Sequence, residues 1–548
     1  MQKWLGICLE NHDLCNYDIE EHWRPTRLIE LDRPHEGCVT LNCWSPETMT
    51  TTNSVAYATL SHCWGHGNLL KLIGSTFSAL SKGVQVSCLP KTFQDAIAIT
   101  HQLGLKFVWI DSLCIFQDSR EDWVKESSLM GKVYSQALCN IGATASSDSS
   151  EGCFRSRNPR QFDRTLIRSS WTDVSNSEYL LLADRTKDEG RLLPPLLNRG
   201  WVVQEHILSR RFLHFDCQQV LFECRHGTAS EMFPEFEVAT RPPAPSSSIW
   251  LTQPLWKPGT PDELIYHNIK YHRNNVAVHG FWGRLVRYYS RCRLSFESDR
   301  LIAISGLAKI LQQCLGDRYL AGIWESSLPK SLLWIAKKQV RPGTCVQVFS
   351  PMPYVAPTWS WASLNASVHF PGFVVFQPNK DIVRVMQTEV ISATSDPTGA
   401  ILSAFIRLRG NLKSVILHWD LESGYYAHIK SMLKKGNLNH FPFQDVYLDK
   451  AIATSANGID LEFMPVVENE LSRKRFQFYG LLLAPTGERL GQYRRVGVLR
   501  CLPFYPNHCE YLGGPLSKDA FKSIDNHDPG WAEYEEFDSV DQYTISVV

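Results

Sequence analysis

A glutamate stands where a hydrophobic residue is expected. In the run FVWIDSLCIFQDSREDWVKESSLMGKVYSQA, which begins at Phe107, the second half has helical periodicity. At about 100° per residue, Trp123, Met130, Val133, Tyr134 and Ala137 form one apolar stripe, and Glu126 falls inside it at about 300° from Trp123. A buried carboxyl is costly unless it finds a partner or keeps its proton, and either condition suits it to acid, base or cation-stabilising work. The competing reading is an ion pair with an arginine, or a cap from the loop containing Gln117.

Three further clusters could do chemistry. SHCWG, residues 61–65, and DSLC, residues 111–114, put Ser61, Trp64, Asp111 and Cys114 after short apolar runs. In NRGWVVQEHILS, Trp201 and Glu205 are four apart and can share a helix face, Gln204 and Glu205 could equally cap a loop, and Arg199 suits a phosphate or carboxylate. Cys63 beside His62 suggests a nucleophile, but neighbours on an extended segment point to opposite faces, so the expectation is a buried thiol. Cys8, His12 and Cys15 offer three metal ligands with no evident fourth, so no metal is expected.

Residues 55–60 (VAYATL), 106–110 (KFVWI) and 138–145 (LCNIGATA) read as strands. Between them lie a helix starting near Pro90 and stopping at Gly104, and another capped by Ser119 and running to about Gln136. This alternation predicts a parallel sheet with flanking helices, whose ligands bind outside the carboxyl ends of the strands. Ser61, Trp64, Asp111 and Cys114 then share one rim. Neither a G-x-G-x-x-G fingerprint nor a phosphate-binding P-loop is present. Residues 179–184 read as a further strand, 198–209 as a short helix, and RFLHF with QVLFEC as a hairpin.

The whole chain of 548 residues carries 56 basic and 56 acidic side chains, which argues against nucleic acid as a partner. No run approaches the roughly 18 apolar residues of a membrane span, and sixteen cysteines at this length read as buried thiols in a reducing, cytoplasmic compartment. The expected organisation is a leading segment at 1–50, an α/β domain at 51–230, and a Pro/Ser-rich linker at 241–262. A helical connector at 263–345 and a β-rich domain at 346–548 follow. Ser298 is the expected cap of a connector helix, residues 328–338 a second helix, and Trp359 and Trp361 one face of a core strand.

YATLSHCWG, the Phe107 run and NRGWVVQEHILSRRFLHF, in this order and separation, resemble the three blocks of the fungal heterokaryon incompatibility (HET) domain. PTRLIEL, SDRLIAISGLA, YLAGIWESSL and APTWSWASL are similar to stretches that accompany it. His62 departs from an aromatic, commonly tyrosine, at that position. The resemblance implies a fungal effector of non-self recognition and programmed cell death, with self-association or other incompatibility proteins as partners. More distantly the domain resembles TIR domains, which implies a flavodoxin/TIR-like sheet. By that likeness DWVKE makes Glu126 the catalytic carboxylate of NAD or NADP cleavage, with Asp111 and Trp64 lining the rim. NAD(P) would be substrate, and no bound cofactor is implied. The alternative is a non-catalytic signalling or self-assembly module.

Overall fold

The structure is a computed structural model that describes residues 1–16, 19–20, 23–33, 37–44, 55–65, 69–157, 165–168, 178–181, 194–236, 275–336, 354–371, 380–420, 424–429, 445–449, 459–471, 475–501, 534–537 and 542–548. The expected linker at 241–262 lies outside them. The chain divides into two units, Met1–His272 and Arg273–Val548.

The first unit is built on a nine-stranded sheet. Its strands are β1 (Arg27–Arg33), β2 (Cys38–Cys43), β3 (Tyr57–Ser61), β4 (Val84–Gln85), β5 (Phe107–Ile110) and β6 (Cys139–Gly142). A separate hairpin, β7 (Thr165–Arg168) with β8 (Glu178–Leu181), precedes β9 (Arg211–Phe215), β10 (Val220–Cys224) and β11 (Thr228–Ser230). The sheet order is β11-β10-β9-β6-β3-β5-β1-β2-β4. β3 runs parallel to β5 and β6, and β6 parallel to β9. Counted along the chain, these four lie in space as 2-1-3-4, the flavodoxin-like order, whose switch point falls between β3 and β6. β3 is buried along its whole length, as a central strand covered on both faces must be.

The sheet is mixed rather than wholly parallel. β1 and β2 form an antiparallel hairpin on the β5 side, while β10 and β11 return antiparallel from β9. Their connections are too short for a helical crossover, so only antiparallel pairing is open to them.

Helices cover both faces. α1 (Gln2–Asn11) and α2 (Asp13–Asn16) lead the chain, and α3 (Gly74–Lys82) follows the β3 rim. α4 (Lys91–Gln102) starts at Pro90, buries Phe93, Ala96 and Thr100, and is followed by Gly104 at φ 76°. It lies on one face, where Phe93 meets the His62 ring edge-on at 5.0 Å. A single turn, α5 (Asp111–Cys114), leads to α6 (Arg120–Gln136), where the Ser119 hydroxyl accepts from the Asp122 amide at 3.2 Å. α6 and α7 (Gly200–Leu208) occupy the other face. There the Tyr57 hydroxyl donates to Val133 O at 2.7 Å and Trp109 meets Tyr134 at 5.6 Å.

The second unit is β-rich, with a large, mostly antiparallel sheet whose core includes Val415, Leu417, Phe463, Leu482 and Leu499. Helices Asn275–Tyr289 and Ser305–Leu315 precede it. Three local expectations change here. Ser298 lies in a 3-10 turn and the helix begins at Ser305, because residues 297–304 take tighter turns first. Residues 330–333 form a 3-10 turn running into a short strand. Trp361 begins a 3-10 turn rather than sharing a strand with Trp359, although both indoles are buried.

Candidate functional site: a polar rim at the switch point

The segment leaving β3 is held close to the loop after β6. The Ser149 hydroxyl donates to Cys63 O at 3.0 Å. Gly65 has φ 74°, and a Cβ there would lie 2.3 Å from Asp148 Cβ, so the residue must be glycine for both reasons. This fixes Trp64, whose indole N–H donates to Asp111 Oδ2 at 2.8 Å; the Lys71 ammonium sits 5.2 Å from the indole ring centre. Asp111 Oδ1 accepts from the Ser112 amide at 2.7 Å and lies 3.8 Å from His62 Nδ1. Burial lowers the His62 pKa to about 4, against the pull of Asp111, so at neutral pH this contact is not an ion pair.

Beneath the rim, α7 presents Glu205 to the sheet. Ser61 donates to its carboxyl, and Asn140 Nδ2 donates to Ser61 Oγ at 2.9 Å. The Tyr134 side chain also hydrogen-bonds Glu205. Glu205 is only 4% exposed. Burial raises its pKa to about 7, even though the Arg199 charge and the Ser61 hydrogen bond favour the carboxylate. Arg199, at the N-terminal end of α7, donates to His62 O. Thr59 Oγ1 and Trp109 Nε1, on neighbouring strands of the same face, are buried without a partner. Trp201 and Gln204 come from the same helix as Glu205: Trp201 is half-buried and meets Trp123 of α6 edge-on at 6.3 Å, and Gln204 is fully buried.

Glu126 belongs to a neighbouring group on the β1 side of β5. It is 2% exposed, one oxygen taking a hydrogen bond from the Thr26 side chain while Oε1 has no partner. Burial raises its pKa, opposed by Thr26 and by the charge of Arg27. Arg27 is itself committed, pairing with Asp122 and donating to Cys114 O at 2.6 Å. The Cys114 thiol is buried and pushed up to about 12, and burial raises Cys63 as well, so neither is a ready thiolate. Of the residues singled out in the sequence, Ser61, Trp64, Asp111, Arg199 and Glu205 come together. Glu126 and Cys114 form the second group, with Asp111 acting electrostatically on both Glu205 and Cys114.

Sequence reasoning missed Asn140 and Tyr134, which complete the network around Glu205. The available signal was Asn140 itself, an amide in the middle of the apolar strand LCNIG. It also missed a second polar group under α7. His206 and His214 approach Glu223 at 3.2 and 3.5 Å, and although burial alone would raise its pKa, the two imidazoles hold it at about 2.

The arrangement defines an α/β domain with a flavodoxin-like parallel core and a polar rim at its switch point. Residues 57–205 match the family model described as Heterokaryon incompatibility protein (HET), from the first residue of β3 to Glu205 itself. Over these residues the chain is similar to the HET family, which supports a role of the heterokaryon-incompatibility type. No curated protein and no solved structure matches the chain. Among the described residues, no helix is long and apolar enough to cross a membrane.

Proposed function

We propose that the HET domain is the effector part of a fungal non-self response and cleaves the nicotinamide–ribose bond of NAD or NADP at the rim. The observation that carries this reading is Glu205: a buried carboxyl near neutral pKa, hydrogen-bonded to Ser61 at the switch point, where open α/β sheets take their ligands. Asp111 accepts the ribose hydroxyls, Arg199 takes a phosphate and Trp64 stacks on a ring. As the C1′–N bond breaks, nicotinamide leaves with the bonding pair. Water adds to C1′ and its proton passes to the Glu205 carboxylate. Glu126, to which the TIR likeness points, is the alternative acceptor.

The near-complete burial of both glutamates favours a second reading, in which the same residues are a packing framework for a self-assembling module. The test is NAD loss over time with the full-length chain at high protein concentration. Turnover lost in Glu205→Gln and kept in Cys63→Ser supports the proposal. Loss in Glu126→Gln alone moves the chemistry to the β1 side of β5. A wild-type chain that self-associates without consuming NAD leaves the module reading.

A further inference from the structure

The fold supplies the fourth ligand that the N-terminal sequence lacks. His12 caps the C-terminal end of α1, its amide donating to Cys8 O at 3.2 Å, and the next turn brings the Cys15 amide to His12 O at 3.0 Å. Cys8, His12 and Cys15 thereby face one point. Cys224, the last residue of β10, arrives there from more than two hundred residues away. All four are buried, and their ligand atoms lie within 4.8 Å of one another.

We propose that Cys8, His12, Cys15 and Cys224 hold one Zn²⁺ ion in a closed structural site that ties the N-terminal helices to the sheet. Tetrahedral zinc, with Zn–S of about 2.3 Å and Zn–N of about 2.0 Å, sets sulfur atoms about 3.8 Å apart and sulfur from nitrogen about 3.5 Å apart. Cys224 Sγ and His12 Nδ1 are 3.4 Å apart. Three thiolates and an imidazole, with no carboxylate among them, select zinc over magnesium or calcium. Four protein ligands leave no open position for catalysis.

The surroundings suit such a centre. Three thiolates and Zn²⁺ sum to a single negative charge, and the buried Arg211 guanidinium donates to Cys8 Sγ at 3.2 Å. The same guanidinium reaches Leu138 O at 3.2 Å and Asn16. The His12 ring is fixed between His226, stacked at 4.0 Å, and Phe236, edge-on at 4.7 Å. Cys224 pairs in register with Arg211, the first residue of β9, so the centre lies at the opposite end of the parallel strands from the rim. Its loss therefore acts on the fold and leaves the rim chemistry without a direct contact.

The test is the metal content of the full-length chain purified under reducing conditions without chelator, followed by Co²⁺ substitution. The expected result is about one zinc per chain, retained in Cys88→Ser, whose thiol is exposed, and lost in Cys224→Ser. Because Cys224→Ser could fail to fold, His12→Cys is the second variant. It keeps four ligands and should shift the tetrahedral Co²⁺ spectrum from a three-sulfur to a four-sulfur pattern. Less than about a tenth of an equivalent of zinc in folded wild type offered excess metal would overturn the proposal. So would a Co²⁺ spectrum that His12→Cys leaves unchanged, or a stoichiometric iron content instead of zinc.

Discussion

Replacing Glu205 by glutamine should abolish a specific pH dependence of stability in the first unit. In the folded chain the Glu205 pKa stands at about 7, against an ordinary value of 4.5. The raised value means that the native state keeps a proton which the unfolded chain releases. The stabilisation is therefore fully present below about pH 4.5 and is lost as pH rises through about 7. At 1.36 kcal/mol per unit, a shift of this size corresponds to about 3 kcal/mol. Glutamine mimics the protonated carboxyl in size and hydrogen bonding to Ser61, so the variant should equal wild type near pH 5 and exceed it near pH 8. Because the chain has two units, a single global transition is not the right observable. Hydrogen exchange of peptides spanning β3, β5 and β6, converted to opening free energies at each pH, reports the unit concerned. Titrations elsewhere, Glu126 included, cancel in the difference between the two chains. A difference that stays flat between pH 5 and 8 would refute the reasoning.

Two other substitutions probe the frame that holds the rim. Tyr57→Phe removes the buried hydroxyl bonded to Val133 O and should destabilise the same peptides by about 1 kcal/mol in the exchange experiment, with little change in pH dependence. Gly65→Ala meets both a positive φ and the Asp148 side chain. It should cost about 1–3 kcal/mol, seen as faster exchange in residues 61–65 and 144–152.

Much of the first unit was legible because its signals are local. Ser119 with Asp122 announced α6, Pro90 and Gly104 bracketed α4, and the runs at 55–60, 106–110 and 138–145 were short enough and apolar enough to read as strands, which the structure forms at 57–61, 107–110 and 139–142. Of the antiparallel flanks, the hairpin of β9 with β10 was legible, whereas β1 was not, since its choice of β5 as neighbour is a tertiary decision. The same limit applies to the site. Ser61 and Glu205 were each identifiable as polar residues near the ends of elements, but their hydrogen bond spans 144 positions. Cys224 shows the limit most clearly, because nothing near it in sequence marks it as the partner of Cys8, His12 and Cys15. Helical periodicity correctly turned Glu126 inward, yet periodicity carries no information about whether the Ser61 group or the Thr26 side of β5 receives it.

The most direct measurement of the rim proposal is the pattern of hydrogen-exchange protection that NAD confers on the full-length chain. Protection concentrated at residues 61–65, 111–117 and 199–205, and weakened by Arg199→Ala, is the predicted result. Protection confined to the second unit, or none at saturating NAD, would contradict it.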